Sequence, residues 1–145
     1  MIASQPIPHP ANATCQAWIR RLGLSRFRNY HQLDLTLDDR MVILVGPNGA
    51  GKTNIMEAVS LMAPGRGLRR AKRDQFMQNA KAAQRSVSDT AQSWRWAVSC
   101  EAVTELGAFR AGTGEDIQQE NSRRVIRIDG ETASQTALAE RLAIS

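Results

Sequence analysis

Residues 41–59 read MVILVGPNGAGKTNIMEAV. Five consecutive apolar residues, Met41 to Val45, lead into a turn containing Gly46, Gly49 and Gly51. A strand that is apolar at every position predicts burial on both faces, as in a parallel sheet covered by helices. From Thr53 onward Ile55, Ala58, Val59 and Met62 fall at i, i+3, i+4 and i+7, and Pro64-Gly65 supplies a stop signal. The stretch therefore predicts a buried strand, a glycine-rich turn and an amphipathic helix, in that order.

The turn itself, Gly46-Pro47-Asn48-Gly49-Ala50-Gly51-Lys52-Thr53, matches G-x-x-x-x-G-K-[ST], the P-loop pattern. Glycines let successive backbone N–H groups converge on one phosphate in conformations that a side chain would block. A helix beginning at Lys52 aims further donors and the positive end of its dipole at the same place. The Lys52 ammonium is placed to reach the β- and γ-phosphates of a nucleotide, and the Thr53 hydroxyl to ligate Mg²⁺. The strand before the motif and the helix after it are the context that this chemistry requires.

Composition sets the bounds. The 145 residues, 42% hydrophobic and 23% charged, suit one globular domain. No apolar run approaches the roughly 20 residues of a membrane span, so no membrane partner is expected. The opening segment, residues 1–16, has three prolines and neither a cationic cluster nor an apolar core, and reads as a disordered tail rather than a leader. Cys15 and Cys100 have no second ligand at metal spacing, which disfavours a zinc site or a disulfide and fits a reducing cytoplasm. The net charge of +5 is uneven: residues 1–85 carry 13 Lys/Arg against 5 Asp/Glu, residues 86–145 carry 6 against 9. A basic first half suits a polyanion without saying which one.

Around the P-loop, WIRRLGLSRF and HQLDLTL alternate with period two, placing Trp18, Leu22 and Leu24 on one face and Leu33, Leu35 and Leu37 on another. WRWAVSCEA alternates likewise, with Trp94, Trp96, Val98 and Cys100 on one side. AFRAG and RRVIRI are shorter strand candidates, and ALAERLAI is a closing helix. Arg66, Arg69, Arg70, Lys72 and Arg73 put five cations in eight positions beside Pro64, Gly65 and Gly67, which predicts an exposed basic loop. Such a loop either touches DNA phosphates or the nucleotide of a dimer partner, or is only a solvated charge run. Arg123, Arg124 and Arg127 alternate with Val125, Ile126 and Ile128 and read as the wet face of a strand. Asp129 ends the only superficial candidate for a second metal-binding strand. Arg127 would have to be buried there, and Asp129-Gly130 is a hairpin turn signal.

LGLSRFRNYHQLDLTL, ILVGPNGAGKTNIMEAVSLMAPGRGLRRA and RRVIRIDGE together resemble the amino-terminal part of the RecF family of bacterial DNA replication and repair ATPases. The resemblance covers about residues 18–142. Its most specific parts are Phe27-Arg28-Asn29-Tyr30 before the P-loop, Asn48 within it, Thr53-Asn54 and Glu57-Ala58. It implies an α/β P-loop NTPase fold of the ABC/SMC ATPase-head type, with residues 17–145 forming the amino-terminal lobe only. The chain ends before the glutamine loop, signature motif and Walker B carboxylate of that pattern, so the lobe alone is expected to bind nucleotide weakly and not to turn it over. The resemblance also implies ATP and Mg²⁺ as ligands, with Asn54 and Arg28 beside the nucleotide. For the whole protein it implies slow, DNA-stimulated ATP hydrolysis, ATP-dependent homodimerisation and binding to single-stranded or gapped DNA. RecO and RecR would be its partners in loading RecA during recombinational repair and the SOS response. Rival readings are another SMC-like repair ATPase, a small-molecule or nucleoside kinase, and a non-catalytic DNA-binding module using its basic loop.

Overall fold

In the computed structural model of the chain, the described residues are 17–63, 76, 94–116 and 124–142. The expected tail, residues 1–16, and the basic loop, residues 66–73, lie outside them. Six strands form one sheet: β1 (Ala17–Phe27), β2 (Tyr30–Thr36), β3 (Trp94–Thr104), β4 (Gly107–Asp116), β5 (Arg124–Ile128) and β6 (Glu131–Thr132). Their order is β2-β1-β3-β4-β5-β6, and every neighbouring pair is antiparallel. Two helices complete the described structure, α1 (Lys52–Ser60) and α2 (Gln135–Leu142). Among the described residues no helix is long and apolar enough to cross a membrane.

The register explains the core. Leu35, Leu22, Cys100, Ala111 and Ile128 form one row across the sheet, and Leu33, Leu24, Val98, Thr113 and Ile126 the next. Both rows face the cluster that holds Ile55, Ala58, Leu61 and Met62 of the α1 region and Leu138 of α2. Each large apolar side chain so buried contributes on the order of 1.5–3 kcal/mol. Phe27, Phe76 and Trp96 close one end of this core, with ring centroids 5.1–5.9 Å apart. The Asp129-Gly130 signal is a two-residue hairpin turn between β5 and β6, with φ of 50° and 91°.

Three expectations need correction. Residues 41–45 are not a buried strand: they lie in no regular element, and Met41, Val42, Ile43 and Val45 are 74%, 44%, 52% and 67% exposed. A fully apolar strand needs parallel neighbours on either side, and the described sheet, antiparallel throughout, offers it none. Second, Trp18 and Trp94 do not share a face with the core rows. A β-bulge at Arg20 lets Ile19 pack on the core and turns Trp18 to the other side. A matching bulge at Arg95 places Trp94 over Gly114, away from Trp96. Third, Arg124 is not on a wet face. It lies on the core side of β5, where its guanidinium donates to the Leu61 carbonyl at the end of α1 and, at 2.7 Å, to the Thr113 hydroxyl. Burial pushes the Arg124 pKa down.

Candidate functional site

The glycine-rich turn runs from Gly46 into α1, and the helix begins at Lys52 as the motif requires. Gly51 caps it in the left-handed region, φ 97°, and Gly49 has φ 86°, conformations that β-carbon-bearing residues adopt at a cost. The Lys52 ammonium is folded back onto the loop, donating to the carbonyls of Gly46 at 2.6 Å and Pro47 at 2.7 Å. The Pro47 carbonyl also accepts the Ala50 N–H at 3.2 Å, which closes the turn. Asn48, Gly49, Gly51, Lys52, Thr53 and Asn54 line a cavity of about 260 Å³ at the helix start. Thr53 is exposed there.

The β1–β2 hairpin holds this loop through three consecutive residues. Arg28, in the left-handed region at φ 56°, sends its guanidinium onto Glu57 of α1 in a bidentate pair, Nε to Oε2 at 2.9 Å and Nη2 to Oε1 at 2.7 Å. The same guanidinium lies 5.4 Å from the Phe76 ring centroid, and the Arg28 N–H donates to the Phe76 carbonyl. Asn29 accepts a 2.7 Å hydrogen bond from the Asn54 amide, and the Tyr30 hydroxyl donates to the Ala50 carbonyl at 3.3 Å. The fit is close: a β-carbon on Gly51 would stand 2.4 Å from the Tyr30 hydroxyl and 2.7 Å from the Asn29 amide.

The structure thus brings Gly46 to Asn54 together and sets Arg28 beside them, with its Nε and Nη2 on Glu57. Glu57 carries no role in the sequence reading, although it sits next to Ala58 on the apolar side of α1 and is only 1% exposed. A carboxylate within an apolar stripe requires a cation across from it, and that was the available signal. Asp129 is spent in its turn, where its carboxylate accepts the Arg110 N–H at 2.8 Å. Among the described residues no three His, Cys, Asp or Glu side chains cluster to hold a metal. A cation at the P-loop would depend on Thr53 and on oxygens supplied by the nucleotide.

Comparison with known proteins places these features. The model of the family described as RecF/RecN/SMC N terminal domain matches residues 18–144. The DNA replication and repair protein RecF of Rhizobium rhizogenes is 43% identical over 118 residues, 81% of this chain and 28% of that protein. RecF of Rhizobium meliloti is 41% identical over 121 residues, 83% of this chain and 29% of its own length. The chain thus spans less than a third of the relatives that it matches. Among solved structures, a RecF–ATP structure from the RecFOR pathway aligns with a TM-score of 0.65 at 18% identity, over 85% of this chain and 30% of that one. The SMC head domain from Thermotoga maritima aligns with a TM-score of 0.60 at 17% identity, over 85% and 41%. The fold is accordingly that of the amino-terminal lobe of an ABC/SMC-type ATPase head.

Proposed function

We propose, since this chain belongs to the RecF/RecN/SMC N-terminal domain family, that it is the nucleotide-binding lobe of a RecF-type DNA replication and repair ATPase. The single observation that carries the reading is the loop from Gly46 to Thr53: two left-handed glycines, a lysine on the loop carbonyls and a helix opening at Lys52. Identity of 40–43% to proteins named RecF favours that type over other SMC-like ATPases and over a nucleoside kinase.

In this reading the β- and γ-phosphates of ATP would lie against the loop of residues 46–53, whose backbone N–H groups, Pro47 having none, would donate to them. Lys52 exchanges its two carbonyl partners for phosphate oxygens, which are stronger acceptors for an ammonium. Thr53 holds Mg²⁺, and Asn54 and Arg28 stand beside the triphosphate. Arg28 and Glu57 hold α1 against the β1–β2 turn, so that the helix start stays aimed at the phosphates. The reading extends to the whole protein as slow ATP hydrolysis, an ATP-dependent homodimer and action on single-stranded or gapped DNA with RecO and RecR. A cytoplasmic location belongs to it, as does a DNA role for Arg66, Arg69, Arg70, Lys72 and Arg73.

Titration of the chain with a fluorescent ATP analogue and magnesium tests the claim. Saturable binding that Lys52→Ala weakens by tenfold or more, about 1.4 kcal/mol, is expected. An unchanged isotherm in that variant would overturn it.

A further inference from the structure

The face of the sheet turned away from the core is built to a pattern that phosphate binding at the P-loop does not use. Its central rows are small: Gly23, Ser99 and Gly112 in one, Ser25, Ala97 and Gly114 in the next. The first of these rows ends in Asp34 on β2 and Arg127 on β5. Beside it Arg21, Glu101 and Arg110 form a charged row. The two bulges put one tryptophan at each end, and each carries an arginine over its ring: Arg20 at 5.6 Å from the Trp18 centroid, Arg127 at 5.0 Å from that of Trp94. Trp18 pairs with Val103, nine residues along β3 from Trp94, so the stacks stand on the order of 30 Å apart.

The charge on this face is positive. Four guanidiniums, of Arg20, Arg21, Arg110 and Arg127, stand against three exposed or half-exposed carboxylates, those of Asp34 and Glu101 and that of Asp129, which accepts the Arg110 N–H; Asp116, at the Trp94 end, is buried. Arg21 pairs with Asp34, and Arg20 with Glu101 at 3.0 Å. Arg110, 83% exposed, stands 4.0 Å from the same Glu101. A cavity of about 280 Å³ lies between Gly23, Ser99 and the charged row. The row of Gly23, Ser99 and Gly112 admits a chain close to the backbone, while Gly114 in the next row lies under the Trp94 ring. Guanidinium planes stacked on indoles offer surfaces on which unpaired bases can lie, while the remaining positive charge meets phosphates.

We propose that this outer sheet face binds single-stranded nucleic acid, with Arg110 and Arg127 as its main phosphate contacts and the Trp18–Arg20 and Trp94–Arg127 stacks as base platforms. The proposal rests on the nucleic-acid reading of the family and adds the surface, which is the sheet face opposite the one that α1 packs on. The span between the stacks fits within the roughly four to sixteen nucleotides that one sheet-based module covers.

The test is anisotropy of a labelled oligothymidylate of about 20 nucleotides with the 145-residue chain, repeated over a salt series and against duplex of the same length. Expected are preference for the single strand and quenching of tryptophan fluorescence. The R110E/R127E double variant should bind about tenfold or more weakly, with a log–log salt slope shallower by roughly one to two. The R110K/R127K variant should retain the slope, and both variants should bind the ATP analogue like the parent, which shows that they are folded. Unchanged oligonucleotide affinity and slope in the charge-reversed variant would overturn the surface while leaving nucleic-acid binding in place elsewhere. No binding by the parent at low salt, or loss of self-association as the sole effect of the variants, would overturn it as well, the latter by making the face a contact between copies.

Discussion

Arg28 and Glu57 form a bidentate pair between a hairpin turn and the P-loop helix, and Glu57 is among the most buried side chains of the protein. Sequestering such a pair stabilises little by itself, because desolvation offsets the attraction. Removing one member is different, since it leaves an uncompensated charge against the Phe76 ring. Glu57→Ala should therefore lower unfolding stability by about 3 kcal/mol, read from urea denaturation. The double variant Arg28→Met, Glu57→Met should recover much of that loss. A double variant as unstable as the single one would mean that the pair itself, and not the stranded guanidinium, holds α1 in place.

Gly49 and Gly51 both have positive φ, but only Gly51 is crowded. Gly49→Ala meets nothing within 4 Å and should cost about 1–2 kcal/mol of backbone strain. Gly51→Ala adds a collision with Tyr30 and Asn29 to the same strain, so its destabilisation should be clearly the larger. It should also displace the start of α1 and weaken the ATP analogue. Equal losses in the two variants, measured by denaturation side by side, would show that the β1–β2 turn does not press on the loop.

These residues show what a linear pattern can and cannot carry. The P-loop was legible because its chemistry fixes residue types at fixed spacing, and α1, β3 and the β5–β6 turn followed from periodicity and turn residues. Alternation failed at Trp18 and Trp94, because one inserted arginine in each strand inverts the phase and the bulge is set by the partner strand. At Arg124 alternation held, since Arg124 shares a face with Ile126 and Ile128; the wet-face reading failed because a helix end more than sixty residues earlier in the chain supplies the carbonyl that satisfies the guanidinium there. The Arg28–Glu57 pair was equally non-local. Residues 41–45 were read as buried from their composition alone, and composition does not say where the neighbouring strands come from.

Burial pushes the Cys100 thiol up to about 11 from an ordinary value near 9. The folded state thus favours the protonated thiol. Its contribution is complete below about pH 9 and is lost as pH rises through 11, to a ceiling of about 3 kcal/mol. Tyr30, also raised by burial, titrates in the same direction. Urea midpoints should therefore fall over this window, less steeply in Cys100→Ala than in the parent. Parallel pH profiles for the two proteins would show that the thiolate is tolerated where Cys100 sits.

Met41, Val42, Ile43 and Val45 present apolar surface to water without a strand partner among the described residues. Exposed contiguous apolar residues with strand propensity promote binding of hydrophobic dyes and edge-to-edge association. Ile43 and Val45 give up little burial in this chain, so Ile43→Lys with Val45→Lys should leave the denaturation midpoint within about 0.5 kcal/mol. Dye fluorescence and concentration-dependent aggregation should both fall. A large loss of stability would place these two side chains inside the folded core of the isolated chain, and unchanged dye binding would assign the exposed apolar surface to another segment. Leu44 serves as the internal control: its side chain packs against the core, so Leu44→Lys should destabilise where its neighbours do not.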